Sequence, residues 1–305
     1  MYKNVIVYQI DPKAVPSAET MQVALERFAY EPAAPAEAQR VGWVCPVHEG
    51  QLVYEGAGFL ALTLHEESKV LPPSVIRDTL DERAAEIEER EHRRLRRRER
   101  QQLQEEIILD LLPQAFSRHR RTRGYIDTVS GLVVVDASSN RAAEDFCEYL
   151  REAIGSLPVR LIETRELPSA VFTRWLVEGD IPSNVSLGEG AVLVDPQSEG
   201  SEIRIKRLDL TSEEVIAHLK AGQRVQRLEV EWAERWRCSI TAELQFKGMK
   251  ALDLVREDQG ELEDESFAAR FDADMSIFVL EFRKLLADVL DWFGGDAAER
   301  GRDAA

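Results

Sequence analysis

The sequence predicts an α+β fold: a multi-part chain of small antiparallel sheets with helices and one long charged helix. Three observations predict it. Short apolar runs bounded by turn residues have the pattern of strands, while other windows space their apolar residues three and four apart, as helices do. Residues 125–136 carry a hairpin signal. Residues 74–123 keep a helical period at both ends but lose their apolar side chains in the middle.

Taken in order, residues 5–10 form a strand that Asp11-Pro12 ends, and Ser17 caps a helix with Met21, Leu25 and Phe28 on one face. After a Pro/Ala-rich loop at 31–38, residues 41–45 and 59–64 are strands of an N-terminal α+β unit, 1–73. Ser74 then caps the charged helix, whose apolar face runs through Ile76, Leu80, Ala84 and Ile87. Between Glu88 and Gln102 only Leu95 is large and apolar, before Leu103, Ile107, Leu111 and Leu112 restore the face; Pro113 leads into an irregular segment ending at Arg123.

A second α+β unit spans 124–207. Residues 125–129 and 132–136 flank a two-residue turn, Ser130-Gly131. Ser138 or Ser139 caps a helix with Ala142, Phe146, Leu150 and Ile154 inward, closed by Gly155. A strand at 159–162 follows, then a helix entered at Pro168 with Phe172, Trp175 and Leu176 inside, then strands at 191–194 and 203–208.

An acidic C-terminal part, 208–305, completes the chain. Thr211-Ser212-Glu213-Glu214 reads as a capping box for a helix ending at Gly222. Residues 225–232 and 236–240 are strands. Past the solvated run at 261–265, a helix from about 273 to 293 carries Ile277, Phe278, Leu285, Val289, Trp292 and Phe293 toward a core or a partner.

With 305 residues and 44% hydrophobic content, the chain is long enough for two or three cores. No stretch approaches the roughly 18 to 20 apolar residues of a membrane span, and the N-terminus has no signal-peptide pattern, so no membrane partner and a cytoplasmic location are expected. Cys45, Cys147 and Cys238 lie far apart without a CxxC, which predicts free thiols.

Charge is segregated. From Arg90 to Arg123 there are eleven arginines against five carboxylates, a surplus of six, leaving −23 on the remainder of a chain whose total is −17. On a continuous helix Arg93/Arg97, Arg94/Arg98 and Arg96/Arg100 are like-charge pairs, each costing roughly 0.2 to 0.5 kcal/mol. A polyanion alongside accounts for such a helix, and so does a frayed solvent helix. Arg90, Arg93, Arg94, Arg97, Arg98 and Arg100 are the candidate phosphate contacts there, through counterion release. Beyond Pro113, Arg118, Arg120, Arg121 and Arg123 form a second cluster. Phe116 beside them is either a stacking group on sugar or base or a core anchor for the helix end. Arg204 and Lys206 share one face of a strand and, with Arg207, are phosphate candidates, with a plain polar face as the alternative.

The segments Leu111-Leu112-Pro113-Gln114-Ala115-Phe116-Ser117-Arg118, Asp127-Thr128-Val129-Ser130-Gly131-Leu132-Val133-Val134-Val135-Asp136 and Leu208-Asp209-Leu210-Thr211-Ser212-Glu213-Glu214 closely resemble the bacterial recombination-associated RdgC family. Lys69-Val70-Leu71-Pro72-Pro73-Ser74-Val75-Ile76, Gly155-Ser156-Leu157-Pro158-Val159 and Phe271-Asp272-Ala273-Asp274 support it in the family's order. The resemblance implies a non-enzymatic, nucleoid-associated protein without cofactor. It implies a head-to-head and tail-to-tail homodimeric ring whose basic hole admits double-stranded DNA without sequence preference and limits access of the RecA recombinase. Gln114 stands where the family usually has Arg or Lys, and Leu208 where it often has a polar residue, which bears on individual DNA contacts.

The residues offer no catalytic constellation. There is no GxxxxGK[ST] or HExxH, and His48, His65, His92, His119 and His218 are scattered. Asp272 with Asp274, or Asp195 with Glu202, are the pairs a Mg²⁺ nuclease would draw on. The rival readings are therefore such a nuclease and an acidic interaction protein that contacts the recombinase directly.

Overall fold

Val5, Ile6, Val7 and Tyr8 are consecutive and all buried, which requires a strand covered on both faces. In the computed structural model, which describes residues 2–47, 50–198, 200–255 and 266–298, this strand, β1 (Val5–Gln9), lies in the middle of one antiparallel sheet. The other strands are β2 (Gln39–Val44), β3 (Tyr54–Gly56), β4 (Phe59–Val70), β5 (Phe116–Asp127), β6 (Leu132–Asp136) and β7 (Arg160–Leu161) in one half of the chain. In the other half are β8 (Val185–Val194), β9 (Glu202–Lys206), β10 (Arg224–Trp232), β11 (Trp236–Thr241) and β12 (Phe246–Ala251).

The order along the sheet is β2-β4-β5-β6-β1-β12-β11-β10-β8-β9, with β3 on β4 and β7 on β1. One large sheet thus replaces the small sheets expected from sequence. The seam is slight: Val5 faces Phe246, and the Met249 N–H donates to the Lys3 carbonyl at 2.8 Å. So narrow a junction leaves no mark in the pattern of either strand.

Helices cover both faces. On one face α1 (Ala18–Glu26) and α4 (Asn140–Ile154) bury Met21, Leu25, Phe146 and Leu150 against Ile6, Trp43, Leu60 and Ile126. On the other, α5 (Pro168–Glu178), α6 (Glu213–Lys220) and α7 (Phe267–Trp292) pack Phe172, Trp175, Leu219, Phe278 and Phe282 over Val7, Tyr125, Val230 and Phe246. Asp127, fully buried at the root of β5, is held by Arg283 of α7 through bonds of 2.6 and 2.8 Å. Removing one partner of such a pair leaves a stranded charge.

Local signals mostly land where the sequence puts them. Ser17 and Ser139 accept the Thr20 and Ala142 N–H groups, and Gly155 closes α4 at φ 83°. Four details differ. The helix after Pro72-Pro73 starts at Pro73, so Ser74 is inside it rather than its cap. Asp127 pairs with Leu132, leaving a four-residue loop because the Asp127 carboxylate binds the Val129 and Ser130 N–H groups. Ser212, not Thr211, precedes α6, since Thr211 is turned back onto Asp209. Finally, α7 begins at Phe267, capped by Ser266. The acidic run at 261–265 and His48 lie outside the described residues.

Candidate nucleic-acid interface

The expected long helix is two helices. α2 (Pro73–Glu91) ends where His92 turns left-handed at φ 54°, and α3 (Arg97–Leu111) folds back on it. Leu80, Ala84, Leu103 and Ile107 form a small core of their own, which is stronger than continuing one helix through a segment with no apolar face. Residues 92–96 are consequently a turn, and the single stripe Arg90/Arg93/Arg97/Arg100 and the three like-charge pairs do not form.

Carboxylates answer much of the hairpin's charge. Arg93 binds both oxygens of Glu99 at 2.9 and 2.8 Å and Glu91 at 2.7 Å. Glu99 is thereby held down to about 2, by the Arg93 guanidinium first and the Arg96 N–H second. Arg83 meets Asp110 at 2.9 Å, Arg100 meets Asp81, and Arg90 lies 4.0 Å from Glu91. Arg94, Arg97 and Arg98 are exposed and have no ion pair among the described residues.

The second cluster is not irregular. Arg118, Arg120, Arg121 and Arg123 lie on β5, which pairs with β4 without a break from Phe59/Asp127 to Val70/Phe116. β6 covers the other edge of β5 only from Arg123 to Asp127, so residues 116–122 run on with that edge open. No apolar alternation marks this half. It is a strand because β4 is beside it.

Strand geometry sorts its side chains onto two faces. Phe116, Arg118 and Arg120 point one way, over Val70, Ser68 and Glu66. Arg120 lies 4.0 Å from Glu66 and lines a cleft of about 540 Å³ with Asp145, Glu148 and Glu152 of α4, so its charge is opposed. Arg118 has no carboxylate partner among the described residues. Phe116 is 87% exposed, which overturns the core-anchor reading.

Ser117, His119, Arg121 and Arg123 point the other way, over Lys69, Glu67, His65 and Thr63. His65 Nε2 and His119 Nδ1 are 3.1 Å apart, and Arg121 Nε is 3.4 Å from His65 Nδ1. The Tyr30 ring lies tilted against His65, with centroids 4.3 Å apart, and its hydroxyl donates to Glu67 at 2.6 Å. Gly42 permits this, since a Cβ there would lie 2.5 Å from the Tyr30 Cα. The Ala33 N–H, the Ser117 hydroxyl and Tyr30, in that order, hold the Glu67 carboxyl down to about 2. Burial first, then Arg121 and His119, lowers His65 below the ordinary imidazole value.

At the far edge of the sheet, Arg204 and Lys206 share the exposed face of β9, with Arg207 just beyond. Arg204 is paired with Glu202, while Lys206 and Arg207 line a cleft with Glu189, Glu229 and Glu231. The arrangement gathers three basic regions but does not bring them into one cluster. Sequence reasoning missed the histidine pair, 54 residues apart, because nothing but the β4/β5 register joins them. Cys147 and Cys238 are buried and Cys45 partly so. No described helix is long and apolar enough to cross a membrane.

The chain is similar to known proteins over nearly its whole length. A family model described as "Putative exonuclease, RdgC" matches residues 1–296. The Recombination-associated protein RdgC of Halorhodospira halophila is 44% identical over 298 residues, covering 97% of this chain and 99% of that protein. Proteins of the same name from Psychromonas ingrahamii and Mannheimia succiniciproducens are each 36% identical, over 97% of this chain and 98% of theirs.

Proposed function

This chain belongs to the RdgC family, and from that premise we propose that it binds double-stranded DNA without sequence preference, closes around it as a homodimeric ring and limits access of the RecA recombinase. One observation carries the DNA reading. β5 presents Arg118 and Arg121 on its open half and Arg123 where β6 begins, none with a carboxylate partner among the described residues, and an exposed Phe116 on the Arg118 face, in a chain whose net charge is −17. Exposed unpaired arginines on an acidic protein suit phosphate oxygens. Phe116 would lie against sugar or base. The ring and the RecA antagonism rest on the family resemblance, and the relatives' name supports a role in recombination.

The family description favours a second reading, an exonuclease. Its sequence-level candidates are engaged otherwise: Asp272 accepts from the Tyr54 hydroxyl at 2.9 Å, Asp195 from the Gln197 N–H at 2.8 Å, and Glu202 pairs with Arg204. Among the described residues no group of three His, Cys, Asp or Glu is placed to hold a metal.

Affinity for two unrelated duplexes across a salt series tests the first reading. Equal affinities falling linearly on a log–log plot, with a slope of about −0.9 per phosphate neutralised, are expected. No binding at low salt would sink it and leave the acidic interaction protein. Shortening of an end-labelled duplex in Mg²⁺ by purified protein would establish the nuclease instead.

A further inference from the structure

His65, His119 and Arg121 form a directed chain of hydrogen bonds on the face of β5 opposite Phe116. An arginine Nε only donates, so Arg121 makes His65 Nδ1 an acceptor at 3.4 Å. His65 therefore carries its proton on Nε2 and donates it to His119 Nδ1 at 3.1 Å. His119 in turn carries its proton on Nε2. Both imidazoles are neutral in this state, and the outer one is exposed while His65 is 7% exposed.

We propose that this trio is a proton-coupled phosphate site, at which a phosphodiester of duplex DNA is bound together with one proton. The inference rests on the DNA-binding reading above. The proton comes from solvent. It adds at His65 Nδ1 as the His65 Nε2 proton passes along the hydrogen bond to His119 Nδ1, so His119 becomes an imidazolium with N–H on both nitrogens and His65, now protonated on Nδ1, accepts from it at Nε2. In that state His65 no longer accepts from Arg121, whose Nε–H is released toward the anion.

The surroundings set the direction. From β5, Arg121 and Arg123 share the face, and from β4, Lys69 does. Three cations oppose a further positive charge until an anion arrives. Glu67, also from β4, lies opposite His119 and raises His65, but by less than burial, Arg121 and His119 lower it, and its carboxylate already accepts from Ala33, Ser117 and Tyr30. β2 contributes Gly42 opposite His65 and Arg40 opposite Glu67, the latter engaged with Glu37 at 3.1 Å. Burial and the neighbouring Arg121 lower His65 in the free protein, in keeping with a pair that gains its proton only when phosphate binds.

The test is calorimetric binding of a short duplex to the full chain, near the ordinary histidine value of about 6.5, in two buffers of different ionisation enthalpy. Heats differing by an amount that corresponds to one proton taken up are expected, with affinity rising toward about tenfold per unit fall in pH. His119→Gln and His65→Asn should each abolish the buffer dependence and flatten the pH profile. Binding with identical heats in both buffers overturns this site and leaves the DNA reading standing. Buffer dependence that survives in both variants also overturns it. No binding in any buffer overturns both.

Discussion

In the α2–α3 hairpin Arg83, Arg90, Arg93 and Arg100 are answered by carboxylates, leaving Arg94, Arg97 and Arg98, whereas on the basic part of β5 only Arg120 is answered. The hairpin has the denser run, yet Glu91, Glu99, Asp81 and Asp110 lie within ion-pair distance of its guanidinium groups. These pairs help hold together a unit whose core is only Leu80, Ala84, Leu103 and Ile107. The strand needs no such help, being bonded along β4 and rooted by Asp127 and Arg283. Density of arginine therefore locates a basic segment, and the carboxylates around it decide which of its charges remain for a polyanion.

The largest test reverses charge on the strand. Arg121→Glu with Arg123→Glu removes two charge-assisted contacts, worth about 3 kcal/mol together, and duplex affinity should fall roughly a hundredfold. The log–log salt slope should also lessen by about 2. Arg97→Glu with Arg98→Glu should weaken binding uniformly across sequences but by less. A larger loss from the hairpin pair, measured by fluorescence anisotropy with both variants folded, would invert the comparison.

Ile107→Ala probes the other side. Ile107 is fully buried in the hairpin core, and its truncation should cost about 2 to 5 kcal/mol. Because α2 and α3 keep a core of their own, the loss should appear in hydrogen exchange as opening of residues 73–111 while the sheet amides stay protected. Global loss of protection would show that the hairpin is not a separate unit.

How much of this was legible depends on whether the cause is local. Ser17, Ser139 and Gly155 were readable because a cap involves neighbours in sequence. The disappearance of the apolar face between Glu88 and Gln102 was also visible, but a charged helix and a turn share that signature. What decides for the turn is Leu80 meeting Leu103, a contact between segments. The basic half of β5 has no alternation of its own, so its strand came from β4 and could not be read. The same register sorts Arg120 into an acidic cleft and Arg121 toward His65, and it leaves Phe116 exposed.

Smaller effects follow from the exposed pairs. Arg83–Asp110 and Arg100–Asp81 are roughly half exposed, so Asp81→Asn or Asp110→Asn should cost no more than about 1 kcal/mol in hairpin stability. Each frees an arginine, and DNA affinity should rise slightly. A fall in affinity would mean that the carboxylates position the arginines rather than neutralise them.

The finest distinction is between two carboxyls held down to about 2, Glu67 on the strand arm and Glu99 on the hairpin. Both are depressed in the folded state, so each contributes stability that is fully present above the unfolded value of about 4.5 and is lost as pH falls toward about 2. Their causes differ. Neutral donors from Ala33, Ser117 and Tyr30 hold Glu67, whereas the charged Arg93 is the first cause for Glu99. Salt screens an exposed ion pair and leaves hydrogen bonds from neutral donors nearly unchanged. Carboxyl titrations followed by NMR at low and high salt should show Glu99 moving back toward the ordinary range while Glu67 stays. If both move together, the carboxylates of arm and hairpin are held alike, and the contrast between the two regions rests on their arginines alone.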